Sequence, residues 1–422
     1  MSRVYIPFYT LITAPTGFLI PWEFIKDVCM TTLLVIIYLS FISLGLPDSL
    51  LGSAWPVMQG ELAASMGTAG YVTMTVSAGT ILSSLLSNRL ITRFGTGRVT
   101  AVSVAMTAAA LFGYALSPSV GCLFLCAIPM GLGAGSVDAA LNNFVANHYK
   151  AKHMNWLHCF WGIGATMGPA IMSLFLMRQS GWRMGYTVIA SIQAALVAVL
   201  LITLPLWKKH AGQSGKEAGQ QPQAILTNKQ AMKLPLIKLA FIAFIFFSGT
   251  ETTGGLWSSS FLVDVKGLDA AQAAQGASCF YAAITLGRLI SGFASIKLPS
   301  HQLIRAGELL CVSGAVVLLL PAPPIVAVLG IFLVGLGTAP VYPGLLHETP
   351  RRFGEQASQA VMGLQMAVAY IGGTLFPPLF GALASAAGLR LFPYFLLVSA
   401  AVLLVSSEVL QHKLAKREQG NP

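Results

Sequence analysis

The chain has 422 residues, of which 55% are hydrophobic and only 9% are charged, and its formal net charge is +11. A soluble domain carries roughly 25% charged residues because its surface faces water, so this composition excludes an ordinary soluble globular protein. Nucleic-acid binding would require basic residues grouped on one soluble face, but here they are scattered between long apolar runs. The composition indicates a protein that lies in a lipid bilayer.

Apolar runs of membrane-spanning length recur along most of the chain. A helix crosses the hydrocarbon core in about 20 residues. The runs predict an all-α membrane protein with twelve transmembrane helices in two pseudo-symmetric six-helix bundles, residues 30–207 and 236–412. The predicted spans are 30–57, 68–91, 99–117, 120–147, 154–177, 184–206, 236–262, 271–295, 303–321, 323–346, 358–383 and 389–410.

Three segments lie outside these bundles. Residues 1–29 form an N-terminal extension whose apolar patch is too short to span, and they lack the basic start and cleavage site of a signal peptide. Met30 opens the first good span, which raises the hypothesis that translation starts there. Residues 208–235 are predicted to form a charged cytoplasmic linker, and residues 413–422 a cytoplasmic tail.

The distribution of basic residues predicts the orientation. Cytoplasmic loops of membrane proteins are enriched in Lys and Arg. With both termini in the cytoplasm, only four of the 25 basic residues fall in outside loops: Arg178, Arg183, Lys266 and Arg390. We therefore expect a multi-pass protein of a bacterial cytoplasmic (inner) membrane with both termini inside.

The two predicted bundles repeat one another in sequence. Gly131-Leu132-Gly133 of span four recurs as Gly335-Leu336-Gly337 of span ten, and the same offset of 204 positions pairs Asp138 with Tyr342. Further matches are Ile163-Gly164 with Ile371-Gly372, Pro169 with Pro377, and Asn88-Arg89-Leu90 with Gly287-Arg288-Leu289. Two six-helix halves related in this way are typical of secondary transporters, whose binding site lies at the midplane between the halves.

Three carboxylates lie deep inside apolar spans: Asp48 in span one, Asp138 in span four and Glu251 in span seven. An ionised carboxylate at a helix centre costs about 2.5–3.5 kcal/mol even on lenient insertion scales, so such residues are usually functional. Removal from water favours the neutral form, which allows such a group to take up and release a proton. The alternative is a neutral carboxyl group that holds helices together. We predict that these three residues couple transport to protons.

Polar and aromatic side chains near these carboxylates are candidates for solute binding. Asn142 shares a helix face with Asp138, and Asn155 shares one with His158. Carboxylates, carboxamides and an imidazole suit a polyhydroxylated solute, and Trp257 and Trp161 could stack on a sugar ring. Trp161 and Trp257 could instead be interface anchors, and His158 could bridge helices by a hydrogen bond. Weaker candidates in span eleven are Gln365 and Tyr370.

Other chemistries lack their sequence signals. Gly131, Gly133 and Gly135 are not followed by the Lys and Ser or Thr of a phosphate-binding loop, and their spacing suits close helix contact. We find no nucleophile motif, no metal-ligand cluster and no nucleotide-binding signature. We therefore expect a non-enzyme with no cofactor, no metal and no nucleic-acid partner. Pro47, Pro169, Pro340, Pro343, Pro377 and Pro378 are predicted to break or bend their spans.

The layout and one loop resemble the major facilitator superfamily. That superfamily carries a G-x-x-x-D-R-x-G-R-R/K gating motif after span two, and here the segment 88–98 keeps Arg93, Gly95 and Arg98 but has Thr92 in place of the Asp. The resemblance implies that Arg89, Arg93, Arg98 and Arg288 belong to the gate at the cytoplasmic ends of spans two and eight.

Spans one, four and five resemble the fucose–proton symporter family of sugar permeases. Its proton-coupling Asp of span one is matched by Asp48, and its Glu-x-x-x-Asn of span four by Asp138-Ala-Ala-Leu-Asn142. Its Asn-x-x-Gln of span five is matched by Asn155-Trp156-Leu157-His158, in which His replaces Gln. A related branch has a span-seven Glu followed by Trp, matched by Glu251 and Trp257.

These observations predict a monomeric secondary transporter that moves a sugar or similar small polar solute together with protons, by alternating access. Sodium coupling in place of protons stays open, because carboxylates suit either ion. The first alternative is a proton-driven export antiporter for drugs or metabolites, suggested by Gly164-x-x-x-Gly168-Pro169. The second is a membrane sensor that transports nothing.

Overall fold

The computed structural model describes residues 11–13, 19–149, 151–178, 181–210 and 228–418. Two short antiparallel strands, β1 (Leu11–Thr13) and β2 (Leu19–Pro21), precede the first helix, with Ile12 opposite Ile20. Most of the predicted linker, residues 211–227, and the end of the predicted tail lie outside the described residues.

The N-terminal half consists of eight helices. They are α1 (Trp22–Asp48), α2 (Leu50–Glu61), α3 (Thr68–Phe94), α4 (Thr96–Ala115), α5 (Val120–His148), α6 (Ala151–Met177), α7 (Gly181–Ile202) and the short α8 (Leu204–His210).

The C-terminal half consists of nine described helices. They are the short α9 (Asn228–Ala231), α10 (Ile237–Asp264), α11 (Ala270–Ala294), α12 (Ser300–Leu319), α13 (Pro324–Thr338), α14 (Val341–His347), α15 (Thr349–Phe353), α16 (Glu355–Ala387) and α17 (Phe392–Glu418).

The prediction of twelve membrane spans is confirmed. Twelve helical stretches of the described chain are long and apolar enough to cross a bilayer. Span one combines α1 and α2, and span ten combines α13 and α14. The first helix begins at Trp22, eight residues before the predicted boundary at Met30, so the helix continues through that boundary.

Two of the twelve spans are interrupted along their length. Span one breaks at Ser49, directly after Pro47 and Asp48, and span ten breaks at Ala339 and Pro340. Proline lacks the N–H that an interior helical position donates, so an interruption at these positions has a local cause. By contrast, α6 runs through Pro169, and α16 runs through Pro377 and Pro378, so these prolines do not interrupt their helices, and a bend at them stays a prediction.

Close glycine contacts show that the two halves are built alike. A Cβ at Gly131 would overlap the carbonyl oxygen of Val76, and a Cβ at Gly335 would overlap that of Phe280. Both residues of the second pair are offset from the first by 204 positions. In a bilayer, such small residues let helix backbones approach closely. The repeat seen in the sequence therefore corresponds to a repeated helix–helix contact.

The same comparison relates spans one and five to spans seven and eleven. A Cβ at Gly164 would overlap the carbonyl oxygen of Ile42, and a Cβ at Gly372 would overlap that of Ile245. Ile245 follows Ile42 by 203 positions, and the same offset carries Asp48 onto Glu251. These two carboxylates therefore occupy equivalent positions in the two halves.

The halves meet at one end of the bundle. We call the end that carries α8, α9 and the segment between the halves the linker end, and the opposite end the distal end. At the distal end, the Ser173 hydroxyl donates to the carbonyl oxygen of Ala271 (2.8 Å), and the backbone N–H of Gly67 donates to the Ser385 hydroxyl (3.1 Å).

A continuous apolar core seals the distal end. It contains Trp55 and Trp182 of the N-terminal half together with Trp257 and Phe380 of the C-terminal half. Nearer the middle, Asp48 and other polar side chains are exposed. The space between the halves is therefore closed distally and opens toward the linker end.

Candidate functional site

Asp48 lies at the interruption between α1 and α2, at the inner end of the open space. Its side chain is exposed, and its Oδ2 accepts a hydrogen bond from the indole N–H of Trp161 on α6 (2.8 Å). The contact is possible because Gly45 and Gly164 bring α1 and α6 together: a Cβ at Gly45 would overlap the carbonyl oxygen of Trp161. Asp48 and Trp161, both predicted as site residues, are thus joined by a hydrogen bond and form one unit.

Asp138 and Asn142 form a second unit on α5. The Asn142 side-chain amide donates to Oδ1 of Asp138 (2.9 Å) and to the Asp138 backbone carbonyl (3.0 Å). The two residues share a helix face, as their spacing predicted. Both are half-buried, and Asp138 lies within electrostatic range of Asp48. The N-terminal half therefore places two neighbouring carboxylates beside the cavity.

Glu251 contributes the C-terminal half's carboxylate. Its Oε1 lies 3.9 Å from a guanidinium nitrogen of Arg288 on α11, and the two side chains are 19% and 22% exposed. Among the described residues, its Oε2 is buried without a hydrogen-bond partner, although Thr338 lies beside the carboxyl group. This ion pair is therefore loose.

Arg288 is located in the cavity, which corrects its predicted place at the cytoplasmic end of span eight. The glycine contacts relate spans two and eight by 204 positions, so Arg288 is equivalent to Ser84 and not to Arg89. Ser84 precedes Arg89 by five residues, which correspond to about 7.5 Å along a helix. Arg288 therefore lies about 7.5 Å deeper in its half than Arg89 does in the other half. Its guanidinium lies over the Trp161 ring, 5.1 Å from the centroid.

Three tyrosines complete the polar lining. Tyr342, on the short helix α14 after the interruption of span ten, interacts electrostatically with Asp138, Glu251 and Arg288. Tyr370 is 39% exposed and lies near Asp138, and Tyr281 lies near both Asp48 and Glu251. Only Tyr370 was predicted as a site residue. The repeat gave a signal for Tyr342, which occupies the position of Asp138 in the other half.

The start of α6 lies closer to the linker end. His158 is exposed and its ring stands edge-on to Phe41, with centroids 6.0 Å apart. Arg288 is within electrostatic range of His158. Asn155 belongs to the same helix, but its side chain lies outside the described residues. The structure therefore places His158 at the cavity.

Two predicted solute contacts are not on the cavity. Trp257 is fully buried (0% exposed), and its indole N–H donates to the carbonyl oxygen of Pro377 (3.0 Å) within the distal seal. Gln365 is also fully buried, and it accepts a hydrogen bond from the Thr349 hydroxyl (2.8 Å). Neither side chain can meet a solute in this conformation, because surrounding helices cover both.

The remaining predicted gate residues lie at the linker end. Arg89, Arg93 and Arg98 are all exposed. Arg93 stands over the ring of its neighbour Phe94, and Thr92, in place of the superfamily's Asp, donates to the carbonyl oxygen of Arg89 (3.0 Å). Their part in a gate stays a prediction.

The arrangement combines proton-binding groups with neutral hydrogen-bonding groups. Asp48, Asp138 and Glu251 can carry protons, and Asn142, His158 and the tyrosines can donate to or accept from hydroxyl groups. Within the described residues, no cluster of three or more His, Cys, Asp or Glu side chains has metal-binding geometry. Two repeated six-helix halves around such a midplane cavity define an integral multi-pass membrane protein with the architecture of a solute transporter.

The chain belongs to the Major Facilitator Superfamily. The sequence profile of that superfamily matches residues 37–377 and also residues 239–419. The family is one of transporters that bind small solutes, and the predicted superfamily fold is thereby confirmed.

Relatives and solved structures agree with this assignment. An uncharacterised transporter of Sinorhizobium fredii is 25% identical over 360 residues, covering 84% of this chain and 92% of the relative. The glucose/mannose transporter GlcP of Bacillus subtilis is 23% identical, covering 61% of this chain and 65% of GlcP. The crystal structure of a point mutant of the nucleoside transporter NupG superimposes with a TM-score of 0.70 at 16% identity, over 89% of this chain and 98% of NupG.

Proposed function

We propose that the protein is a proton-coupled symporter of a sugar or similar small, hydroxylated solute. The observation that carries the proposal is the pair Asp48 and Asp138, two carboxylates within membrane-spanning stretches beside a cavity that is open at one end only. Each accepts a hydrogen bond from a neutral side chain that also faces the cavity, Trp161 or Asn142. The affinity for a solute that contacts Trp161 or Asn142 would therefore depend on whether the carboxyl groups are protonated.

The mechanism is alternating access of two halves, residues 30–207 and 236–412, with no enzymatic step and with a monomer as the working unit. The excess of basic residues at the linker end supports a cytoplasmic location of that end and of both termini. The conformation described here is then the one open to the cytoplasm. The matching of Asp48, Asp138 and Asn142 to fucose-type symporters, and the likeness to sugar and nucleoside transporters, support a hydroxylated solute.

The test is solute-induced alkalinisation of reconstituted liposomes. Hexoses, deoxyhexoses, polyols and nucleosides are added in turn while external pH is followed. We expect one class to raise external pH, and we expect Asp138→Asn to reduce that signal at least about tenfold, because a carboxamide cannot release a proton. Asp264→Asn, which removes a carboxylate at the distal end of α10, is the matched control and is expected to behave as wild type.

The same assay tests export. The Gly164-x-x-x-Gly168 spacing, which suggested an exporter, lies at the contact between α6 and α1. Both glycines face carbonyl oxygens of α1, at Ile42 and Leu46. Proton release in exchange for solute, in place of proton uptake with it, would overturn symport in favour of the antiporter. An unchanged signal in Asp138→Asn would refute the coupling role of Asp138.

A further inference from the structure

One cation lies between the two equivalent carboxylates of the site. Asp48 and Glu251 are related by the same offset that relates Ile42 to Ile245. The guanidinium of Arg288 lies 3.9 Å from Glu251 on one side and over the Trp161 ring on the other. Trp161 in turn donates its indole N–H to Asp48. Arg288 therefore joins the carboxylate of one half to that of the other.

The contacts of Arg288 do not fix it to Glu251. The separation of 3.9 Å is longer than a hydrogen bond, and among the described residues Glu251 Oε2 is buried without a partner. A guanidinium on an aromatic face can slide along it, because the attraction to the ring is not directional like a bidentate ion pair. The Trp161 ring lies between Arg288 and Asp48, because the guanidinium stands over the ring and Asp48 accepts a hydrogen bond from its indole N–H.

Other ionisable groups lie within electrostatic range of this unit on five of the surrounding helices. Arg288 is within electrostatic range of side chains on α6 and α14, and Glu251 and Asp48 are within range of further groups on α5, α11 and α12. These groups are His158, Cys159, Tyr342, Asp138, Tyr281 and Cys311. Of these six groups, Asp138 is the carboxyl group, which is negatively charged when it is ionised near neutral pH. Arg288 is the permanent cation of the unit.

We propose that Arg288 is a positioning residue that changes partner between Glu251 and Asp48 during transport. While Asp48 carries a proton, Arg288 stays with Glu251, as in this structure. When Asp48 releases its proton, its charge draws the guanidinium across Trp161, so that an ion pair within the C-terminal half is replaced by one between the two halves. The proposal rests on proton-coupled transport as proposed above.

The charges of the site also define the solute class. With Asp48 and Asp138 protonated and Glu251 paired with Arg288, the loaded site has no net charge. An uncharged solute then binds without an unpaired charge in the membrane interior, whereas an anionic or cationic solute would introduce one. The structure therefore favours a neutral hydroxylated solute over a sugar acid or an amine.

Double-mutant analysis tests the exchange. In Glu251→Gln, Asp48 is the acidic partner of the pair that remains for Arg288, which holds Asp48 ionised, so proton-driven accumulation is expected to fall at least about tenfold. In the double variant Glu251→Gln/Arg288→Gln, Asp48 is no longer held ionised, so accumulation is expected to rise at least about threefold above that of Glu251→Gln but to stay below wild type, because the exchange itself is lost. Arg305→Gln, which removes an arginine paired with Glu408 outside the site, is the matched control.

The outcomes separate the proposals. Active counterflow with accumulation as low in the double variant as in Glu251→Gln would overturn the exchange. Failure of wild type itself to accumulate solute with a proton gradient would instead overturn proton symport. If Glu251→Gln is not recovered as a monodisperse protein, Glu251→Asp serves in its place: it lengthens the pair and is expected to lower accumulation, with the same recovery on adding Arg288→Gln. Wild-type accumulation in Glu251→Asp would contradict the proposal.

Discussion

At the scale of single residues, the two candidate tryptophans have different surroundings. The Trp161 ring lies at the cavity between Asp48 and Arg288, whereas Trp257 is enclosed by Pro377, Gly381 and Phe380. An indole in each place could be read from sequence as a stacking platform. Only one of them can touch a solute.

Replacing each tryptophan by phenylalanine separates these roles. Trp161→Phe keeps a ring under Arg288 but removes the hydrogen bond to Asp48, so proton-driven accumulation is expected to fall at least about fivefold with little change in thermal stability. Trp257→Phe loses a buried hydrogen bond worth about 1 kcal/mol, so the thermal midpoint should fall while the KM for counterflow changes less than about twofold. Melting in detergent and counterflow in liposomes measure the two effects. A large KM increase in Trp257→Phe would restore it as a solute contact.

At the scale of elements, glycine contacts decide which helices touch. Gly164 sits against the carbonyl oxygen of Ile42, with no room for a side chain, whereas Gly363 on α16 has nothing within 4 Å of its added Cβ. The same residue type therefore has opposite tolerance at the two positions.

We expect Gly164→Val to prevent recovery of folded protein, because α1 and α6 must separate to admit the side chain. Gly363→Ala should be tolerated and should stabilise its helix by about 0.5–1 kcal/mol, since alanine loses less backbone entropy. Size-exclusion profiles and melting curves of the two variants provide the measurement. A monodisperse, active Gly164→Val would mean that the close approach is not needed.

The linker ends of the two halves differ in chemistry although they share a backbone plan. Val104 and Phe144 of the N-terminal half belong to one apolar cluster, and the positions 204 residues later are Glu308 and Glu348. Glu308 is fully buried, and within the described chain neither of its carboxylate oxygens has a hydrogen-bond partner of good geometry. Burial lowers the pKa of the Arg352 guanidinium, which faces both glutamates.

This difference predicts effects of opposite sign. Glu308→Gln removes a fully buried ionisable carboxyl group while leaving Glu348 near Arg352, and is expected to raise the thermal midpoint. Arg352→Gln removes the buried cation that faces both glutamates and leaves Glu348 with Arg351 alone (3.5 Å), so it is expected to lower the thermal midpoint by several degrees. Thermal melting of both variants in one detergent compares them. Equal destabilisation by both would instead indicate a tight Glu308–Arg352 pair.

At the scale of the whole molecule, one end is sealed and the other is open. Ser173 and Ala271 join the halves distally, whereas His158 lies exposed on the cavity side. A cysteine at position 158, in a background without native cysteines, should therefore react with a membrane-impermeant thiol reagent from the linker end. Inside-out vesicles should label at least about tenfold faster than right-side-out vesicles if that end is cytoplasmic. Faster labelling from the other side would reverse the orientation.

The closure itself can be held chemically. A short bifunctional thiol reagent that joins Ser173→Cys to Ala271→Cys should stop transport, because alternating access requires the distal contacts to open. Labelling at position 158 should persist in the cross-linked protein, and each single-cysteine variant is the control. Transport that continues after complete cross-linking would rule out distal opening by separation of α6 and α11.

The sequence by itself determined the span number, the two-fold repeat and the carboxylates Asp48, Asp138 and Glu251. Spans are readable because the bilayer requires about 20 apolar residues in a row, and an acid within such a run stands out whatever surrounds it. The pairing of Asp138 with Asn142 was also readable, since residues four apart share a helix face.

Only the tertiary structure decided the depth of Arg288, the burial of Trp257 and Gln365, the tyrosine lining and which end is closed. Each depends on which faces of separate helices are in contact. Those contacts involve residues far apart in sequence, such as Gly131 with Val76 or Trp161 with Asp48. A one-dimensional pattern records that a side chain is apolar or charged. It does not record whether the neighbour across the gap is lipid, another helix or the solute cavity, because that is settled by close contacts between backbones.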